Sequence, residues 1–406
     1  MAARHLLTPG RRPGVNPLAL AVVFVLGLAV PLAAQQPTGW PEFIRSFDSY
    51  VTRDSIVGAA VAVVKDGRFL ARHDVGWGDR EARQRADSNT IYHWGSITKT
   101  LTAVAVLQLR DRGRLTLEQP VTTWVPELRA VNNPFGSMDD VTVAMLLSHS
   151  SGLQDPTWPW RRYEAWEPFE PTRWEQLVAM MPYQRLRFAP GSRYSYSNPA
   201  FIYLARITES LTGDAWQTTV YKNLFGPLGL TRSYFAGTPY HLAAYRSNNY
   251  TVARDSAGRE SVVANGRDFD PGITIPNGGW NAPVGDLAKW LGFLARATDT
   301  TDRVDVLKRS SVREMWRARY SAVEPVAGVE MPADSIGMSF FILWRNGTRF
   351  VGHTGSQAGF RSFFYINPAT RSGVIAVFNT SNDARPDESA AGFRAVRDAA
   401  LALIAR

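Results

Sequence analysis

Trp94-Gly95-Ser96-Ile97-Thr98-Lys99, leading into the apolar run Leu101 to Leu109, is the stretch that decides how this chain is read. A glycine-containing turn feeds a helix-forming segment. A serine at the start of a helix and a lysine three residues on share one face, one turn apart. The helix N-terminus adds exposed N–H groups and a positive potential that favours an oxyanion. The result is a serine nucleophile with an amine base beside it, and no histidine is required. The plainer alternative is a capping serine followed by a solvated lysine. Lysine usage favours the first reading. Of 45 Lys plus Arg, five are lysine: Lys65, Lys99, Lys222, Lys289 and Lys308. Lysine can lose its proton when desolvated and arginine cannot, so a lysine at 99 in an arginine-rich chain points to proton chemistry.

Two further motifs follow in order. Tyr196-Ser197-Asn198 lies in Gly191-Ser192-Arg193-Tyr194-Ser195-Tyr196-Ser197-Asn198-Pro199, just before the apolar run Phe201 to Leu211. His353-Thr354-Gly355, followed by Ser356, sits among strand-like segments near the C-terminus. Together, S-x-x-K, Y-S-N and H-T-G resemble the penicillin-recognising serine hydrolases. The likeness is greatest to the class C β-lactamase branch, with its D-Ala-D-Ala carboxypeptidases, D-aminopeptidases and esterases. Leu146-Leu147-Ser148-His149-Ser150-Ser151-Gly152-Leu153 and Phe188-Ala189-Pro190-Gly191 add to the likeness, which runs from about Trp40 to the C-terminus.

The chemistry gives each position a task. Ser96 Oγ would attack a carbonyl carbon and form an acyl-enzyme. Free lysine and tyrosine have pKa values of about 10.4 and about 10, too high for a base at neutral pH. Desolvation lowers the first and a neighbouring ammonium lowers the second. Lys99 and Tyr196 would titrate as a pair, so either is the base depending on the microstate chosen. Tyr196 is assigned as the proton carrier, with Lys99 holding it ionised. The resemblance implies that the oxyanion is met by the backbone N–H groups of Ser96 and Ser356. It also implies a substrate-binding role for His353, Thr354 and Gly355, with Gly355 letting the strand edge approach the substrate. Asn198 would bond a substrate amide or orient Lys99.

His353 departs from the lysine that many β-lactamases in this group carry at that place. Histidine titrates at about 6.5, so its charge is conditional where lysine's is permanent. The substitution occurs among carboxypeptidase, esterase and peptidase relatives and argues against efficient β-lactam hydrolysis. His353 reads as a substrate-orienting group, and His149 as a buried structural hydrogen bond. The remaining histidines, His5, His73, His93 and His241, form no H-E-x-x-H spacing, and there is no cysteine, so no metal site and no cofactor is expected. The G-x-S-x-G elbow of α/β-hydrolases is absent.

With 45% hydrophobic and 20% charged residues, the 406-residue chain is an ordinary globular composition with room for a large core. The net charge of +9 includes Arg4, Arg11 and Arg12 at the start. The other arginines are scattered, which fits a solvated basic surface and no nucleic-acid partner. Arg11 and Arg12 precede the uncharged run Leu18 to Ala34, which ends in Leu32-Ala33-Ala34-Gln35. This is the pattern of a signal peptide over residues 1–34, with an uncleaved anchor as the alternative and the only membrane contact expected. The mature chain is then exported, to the periplasm or beyond the cell. Without cysteine, disulfides play no part in either compartment.

Element order supports an α/β (α+β) fold of the β-lactamase/transpeptidase type. A helix is expected over Trp40 to Thr52, then strands around Lys65-Asp66-Gly67, a hairpin signal. Helical patterns fill the middle: Val141 to Leu147, Trp174 to Met180, Pro199 to Leu211 and Trp216 to Phe225, with another at Val284 to Ala295. Strands return at Met338 to Trp344, Phe350 to His353, Arg361 to Ile366 and Val374 to Phe378, and a helix closes the chain over Ser389 to Ile404. Strands at both ends with helices between imply one antiparallel sheet built from the N- and C-terminal segments. Residues 35–406 would be a single domain, with a sheet part at about 40–95 and 265–406 and an inserted helical part at about 96–264.

The aromatic stretch Trp158 to Trp174 would either wall the mouth of the cleft, suiting apolar acyl or aryl groups, or pin a loop to the helices. Three functions follow. The first is a hydrolase working through a Ser96 acyl-enzyme on esters, amides or D-amino-acid peptides. The others are a class C-type β-lactamase and a non-catalytic envelope protein that binds a peptide or partner. The partner in the first case is a small molecule or peptide with a carbonyl centre.

Overall fold

The Lys65-Asp66-Gly67 signal closes a hairpin between β1 (Gly58–Lys65) and β2 (Arg68–Asp79). Asp66 and Gly67 have φ of 51° and 79°. Two consecutive left-handed residues give the turn a twist that matches the strands it joins. The structure is a computed structural model and describes residues 36–153, 171–299, 301, 306–323 and 333–405. The N-terminal apolar run and the aromatics from Trp158 to Phe169 lie outside the described residues.

β1 does not pair only locally. Its other edge meets the last strand of the chain, with Val61 opposite Ala376. Labelling the C-terminal strands β3 (Thr348–Gln357), β4 (Phe360–Asn367) and β5 (Ser372–Phe378), the sheet runs Gln84–Arg85, β2, β1, β5, β4, β3, Phe341–Arg345, Ser335–Ile336, Tyr320–Ser321. Every neighbour in it is antiparallel. One sheet made from the two ends of the chain is the arrangement the strand pattern implied.

The alternation of side chains along a strand sorts β1 between two cores. Ala60, Ala62 and Val64 join the core on one face, and Ala59, Val61 and Val63 join that on the other. The second core is covered by α1 (Trp40–Arg53), which buries Trp40, Phe43, Phe47 and Tyr50 at helical spacing, and by the final helix, α5 (Pro386–Ala402). The first core lies under α2 (Thr98–Asp111), α3 (Pro199–Thr212) and α4 (Val284–Ala295). α2 is buried at every position from Thr98 to Leu109. A helix buried on all sides must be central, and α3 and the short helix Ile275–Gly278 pack against it.

The helical span expected at about 96–264 is interrupted. Asn249–Arg254 and Glu260–Gly266 form a hairpin, and the first of these strands pairs in parallel with Thr380–Asn382. Trp280–Pro283 is a strand as well, bridging Ile91–His93 and Tyr234–Phe235. β3 runs further than the expected Phe350 to His353, carrying His353, Thr354 and Gly355 inside the ladder as far as Gln357.

Candidate active site

Ser96 lies in the turn just ahead of α2. Gly95 takes φ of 53°, and the amides of Thr98 and Lys99 donate to the carbonyls of Gly95 and Ser96 at 3.0 Å each. These tight i to i+3 bonds wind the chain into the helix and lift Ser96 to the surface of an otherwise buried segment. Lys99, one turn on, is wholly buried. Its Nζ donates to Ser96 Oγ at 3.0 Å and to the carbonyl of Asn277 at 2.8 Å. The same Nζ stands over the ring of Tyr196, 4.8 Å from its centroid, and 5.7 Å from that of Phe201 on α3. The alternative of a solvated lysine is thereby removed.

Asn277 was not singled out from sequence. Its carbonyl receives Lys99, and its side-chain amide donates to Asn198 Oδ1 at 3.2 Å. Thr102 Oγ1 donates to the neighbouring Pro276 carbonyl at 2.6 Å, which holds this segment along α2. Asn198 is thereby bonded to the residue whose carbonyl receives Lys99. The one local signal was Pro276-Asn277-Gly278-Gly279, a turn-forming run whose main-chain carbonyl, not its side chain, does the work.

β3 supplies the opposite wall. A Cβ on Gly355 would stand 2.0 Å from the Trp94 carbonyl oxygen and 2.6 Å from Ser362 Oγ. The glycine is needed for contact with the protein's own Trp94-Gly95 turn, a requirement additional to any approach of substrate along this strand edge. A Cβ on Gly95 would in turn lie 2.9 Å from the Ser356 amide nitrogen, so the Ser356 N–H is pressed against the residue preceding Ser96. Ser362 Oγ donates to the Trp94 carbonyl at 3.1 Å, tying the same turn to β4. His93 also clamps this contact. Its Nδ1 is 2.9 Å from Asn281 Oδ1 and its Nε2 is 3.1 Å from Gln357 Oε1, next to Ser356. The Ser356 amide thus lies beside the turn that carries Ser96.

Tyr196 is 4% exposed, on irregular backbone between the turn at Gly191 and α3. His149 stacks on it at 4.4 Å and 20°. The Ser-His-Ser-Ser-Gly turn and the Phe-Ala-Pro-Gly segment hold that backbone together. Gly191 N donates to the Ser150 carbonyl at 2.8 Å, and Arg187 N to the Gly152 carbonyl at 2.9 Å. His149 is buried and its Nδ1 accepts from Ser197 N at 3.0 Å, the structural bond read from sequence.

His353 differs from the expected substrate-orienting group. Its ring is fully buried against Phe341, with centroids 4.7 Å apart, and Nδ1 donates to the Thr354 carbonyl at 2.5 Å. Burial, with the Lys99 charge second, lowers its pKa to about 3. The ring is neutral at physiological pH and offers no accessible face to a ligand. Thr354 is 8% exposed, whereas Ser356 is open to solvent. Trp174, the described end of the aromatic stretch, begins the helix Trp174–Met180 and packs edge-on against Tyr203 of α3, which suits the pinning role.

No group of three or more His, Asp or Glu able to hold a metal occurs among the described residues, and no helix there is long and apolar enough to cross a membrane.

A buried lysine bonded to a half-open serine, with the Ser356 amide beside the same turn, is equipment for nucleophilic acyl transfer. Protein flp of Staphylococcus aureus (strain COL) is 24% identical over 331 residues, 82% of this chain and 61% of its own length. Esterase EstB of Burkholderia gladioli is 30% identical over 256 residues, 57% of this chain and 64% of its own. The chain thus spans about three-fifths of the length of these curated relatives. Among solved structures, the octameric penicillin-binding protein homologue from Pyrococcus abyssi superposes with a TM-score of 0.70 at 25% identity, covering 88% of this chain and 77% of that one. The sequence signature of the beta-lactamase family matches residues 43–399, and the chain belongs to that family of serine hydrolases.

Proposed function

We propose that this protein is an exported hydrolase that cleaves esters, amides or D-amino-acid peptides through an acyl-enzyme on Ser96. The 3.0 Å bond from the buried Lys99 Nζ to Ser96 Oγ carries the reading. Ser96 Oγ attacks the substrate carbonyl as its proton passes to the Lys99–Tyr196 pair, with Tyr196 as carrier. The tetrahedral oxyanion is held by the Ser96 and Ser356 N–H groups. The carried proton goes to the leaving alcohol or amine, and water, activated by the same pair, releases the acid. Asn277 and Asn198 keep Lys99 aimed at the serine. Export rests on the basic and apolar pattern of residues 1–34. EstB lends weight to an ester substrate, and the buried neutral His353 speaks against a fixed cation for the carboxylate of a β-lactam.

Hydrolysis of p-nitrophenyl butyrate, D-phenylalanine amide, a D-Ala-D-Ala peptide and nitrocefin, by the wild type and Ser96→Ala, tests this. Turnover of the ester, amide or peptide that disappears in the variant is expected. Turnover that survives Ser96→Ala, or turnover of nitrocefin alone, contradicts it.

A further inference from the structure

Tyr196 has no regular element to hold it. Residues Tyr194 to Ser197 are neither helix nor strand, yet three of the four are buried. Buried amides on such backbone must find acceptors. The two that flank Tyr196 find theirs on a single residue. Ser195 N donates to the His149 carbonyl at 2.8 Å, and Ser197 N donates to His149 Nδ1 at 3.0 Å. Between those bonds the His149 ring lies on the Tyr196 ring, 4.4 Å away and tilted 20°. His149 is itself fully buried and sits in left-handed backbone at φ 56°, closing the turn after the short helix Val143–Leu147.

We propose that His149 is a positioning residue for the reaction: it fixes the Tyr196 phenol by a ring stack and by one hydrogen bond on either side of it. This rests on the reading of Tyr196 as the proton carrier. Because Nδ1 accepts an amide proton, the imidazole is neutral with its own proton on Nε2. Burial, then the charge of Lys99, keeps it in that state. A charged ring would lose the Ser197 bond and release one side of the clamp.

The acceptor and the ring can be separated by substitution. Asparagine places an oxygen where Nδ1 stands and tolerates left-handed backbone; phenylalanine keeps the stack without the acceptor; glutamine carries its amide to the position of Nε2. Steady-state hydrolysis of a p-nitrophenyl ester and thermal unfolding would be measured for His149→Asn, His149→Phe, His149→Gln and Tyr196→Phe. Loss of alignment in a general-base step lowers kcat by about tenfold or more in His149→Phe and His149→Gln, while KM shifts by less than about threefold. His149→Asn, which restores the acceptor without the ring, recovers part of the loss. If His149→Phe does not fold, the Asn–Gln contrast gives the same answer. The proposal is overturned if the folded His149→Phe turns over like wild type while Tyr196→Phe does not. It is equally overturned if Asn and Gln lose kcat alike. A wild-type kcat in Tyr196→Phe instead removes the proton-carrier reading, and this role with it.

Discussion

Lys99 Nζ donates to Ser96 Oγ across 3.0 Å, from a side chain with no exposure to one that is partly open. The lysine is therefore held where its proton affinity matters, and its replacements should sort by chemistry. Lys99→Arg keeps the charge but cannot lose a proton and does not fit a fully enclosed site. Both Lys99→Arg and Lys99→Met should lower the acylation rate by about a hundredfold or more, the usual scale of general-base catalysis. Stopped-flow release of p-nitrophenol reads this directly. A Lys99→Arg enzyme within a few-fold of wild type would place proton transfer on Tyr196 alone, with Lys99 supplying only its charge.

Gly355 offers a test of how the oxyanion donors are held together. Gly355→Ala would drive a methyl group onto the Trp94 carbonyl, 2.0 Å from its ideal place. Overpacking of this kind costs about 1–3 kcal/mol, and relief requires β3 to part from the Trp94-Gly95 turn. Urea unfolding should show the loss, and kcat should fall with it, because Ser356 N moves away from Ser96. Loss of stability with unchanged kcat would detach the Ser356 amide from the reaction.

Acid should weaken the fold before most carboxylates titrate. Burial lowers the pKa of His93 to about 4, with Arg246 the next cause, and that of His353 to about 3; His149 is lowered too. Histidine in the unfolded chain binds its proton at about 6.5. Below that value the unfolded state holds protons that the folded state refuses. Stability is therefore complete above about pH 6.5 and falls as the pH drops, by up to about 1.4 kcal/mol per unit for each histidine. Urea unfolding at pH 7.5, 6.5 and 5.5 should give a decline that steepens toward the lower pH. A flat profile would mean that these rings take up protons in the native state as readily as in the unfolded chain.

What the sequence made legible was local. The Asp66-Gly67 turn declares its own φ values, and Ser96 and Lys99 need only one helical turn to meet. The three motifs arrive in the order in which the fold assembles them. What escaped depends on contacts between distant segments. Asn277 receives Lys99 through a main-chain carbonyl, which every residue possesses, from 178 positions away. Gly355 reads as an open edge until Trp94 is seen against it. His353 looks like a titrating surface group because alternation along a strand does not tell which face Phe341 and Tyr196 will cover. The Asn249–Gly266 hairpin lay hidden in a helical region because its partner strand is Thr380–Asn382, near the end of the chain.

The central claim is that Ser96 is the residue that becomes acylated. Intact-mass spectrometry after treatment with a small fluorophosphonate, followed by peptide mapping, tests it most directly. One adduct per chain, mapped to Ser96 and absent in both Ser96→Ala and Lys99→Met, is the predicted result. An unmodified protein, or an adduct on Ser356 or any other serine, would contradict the account.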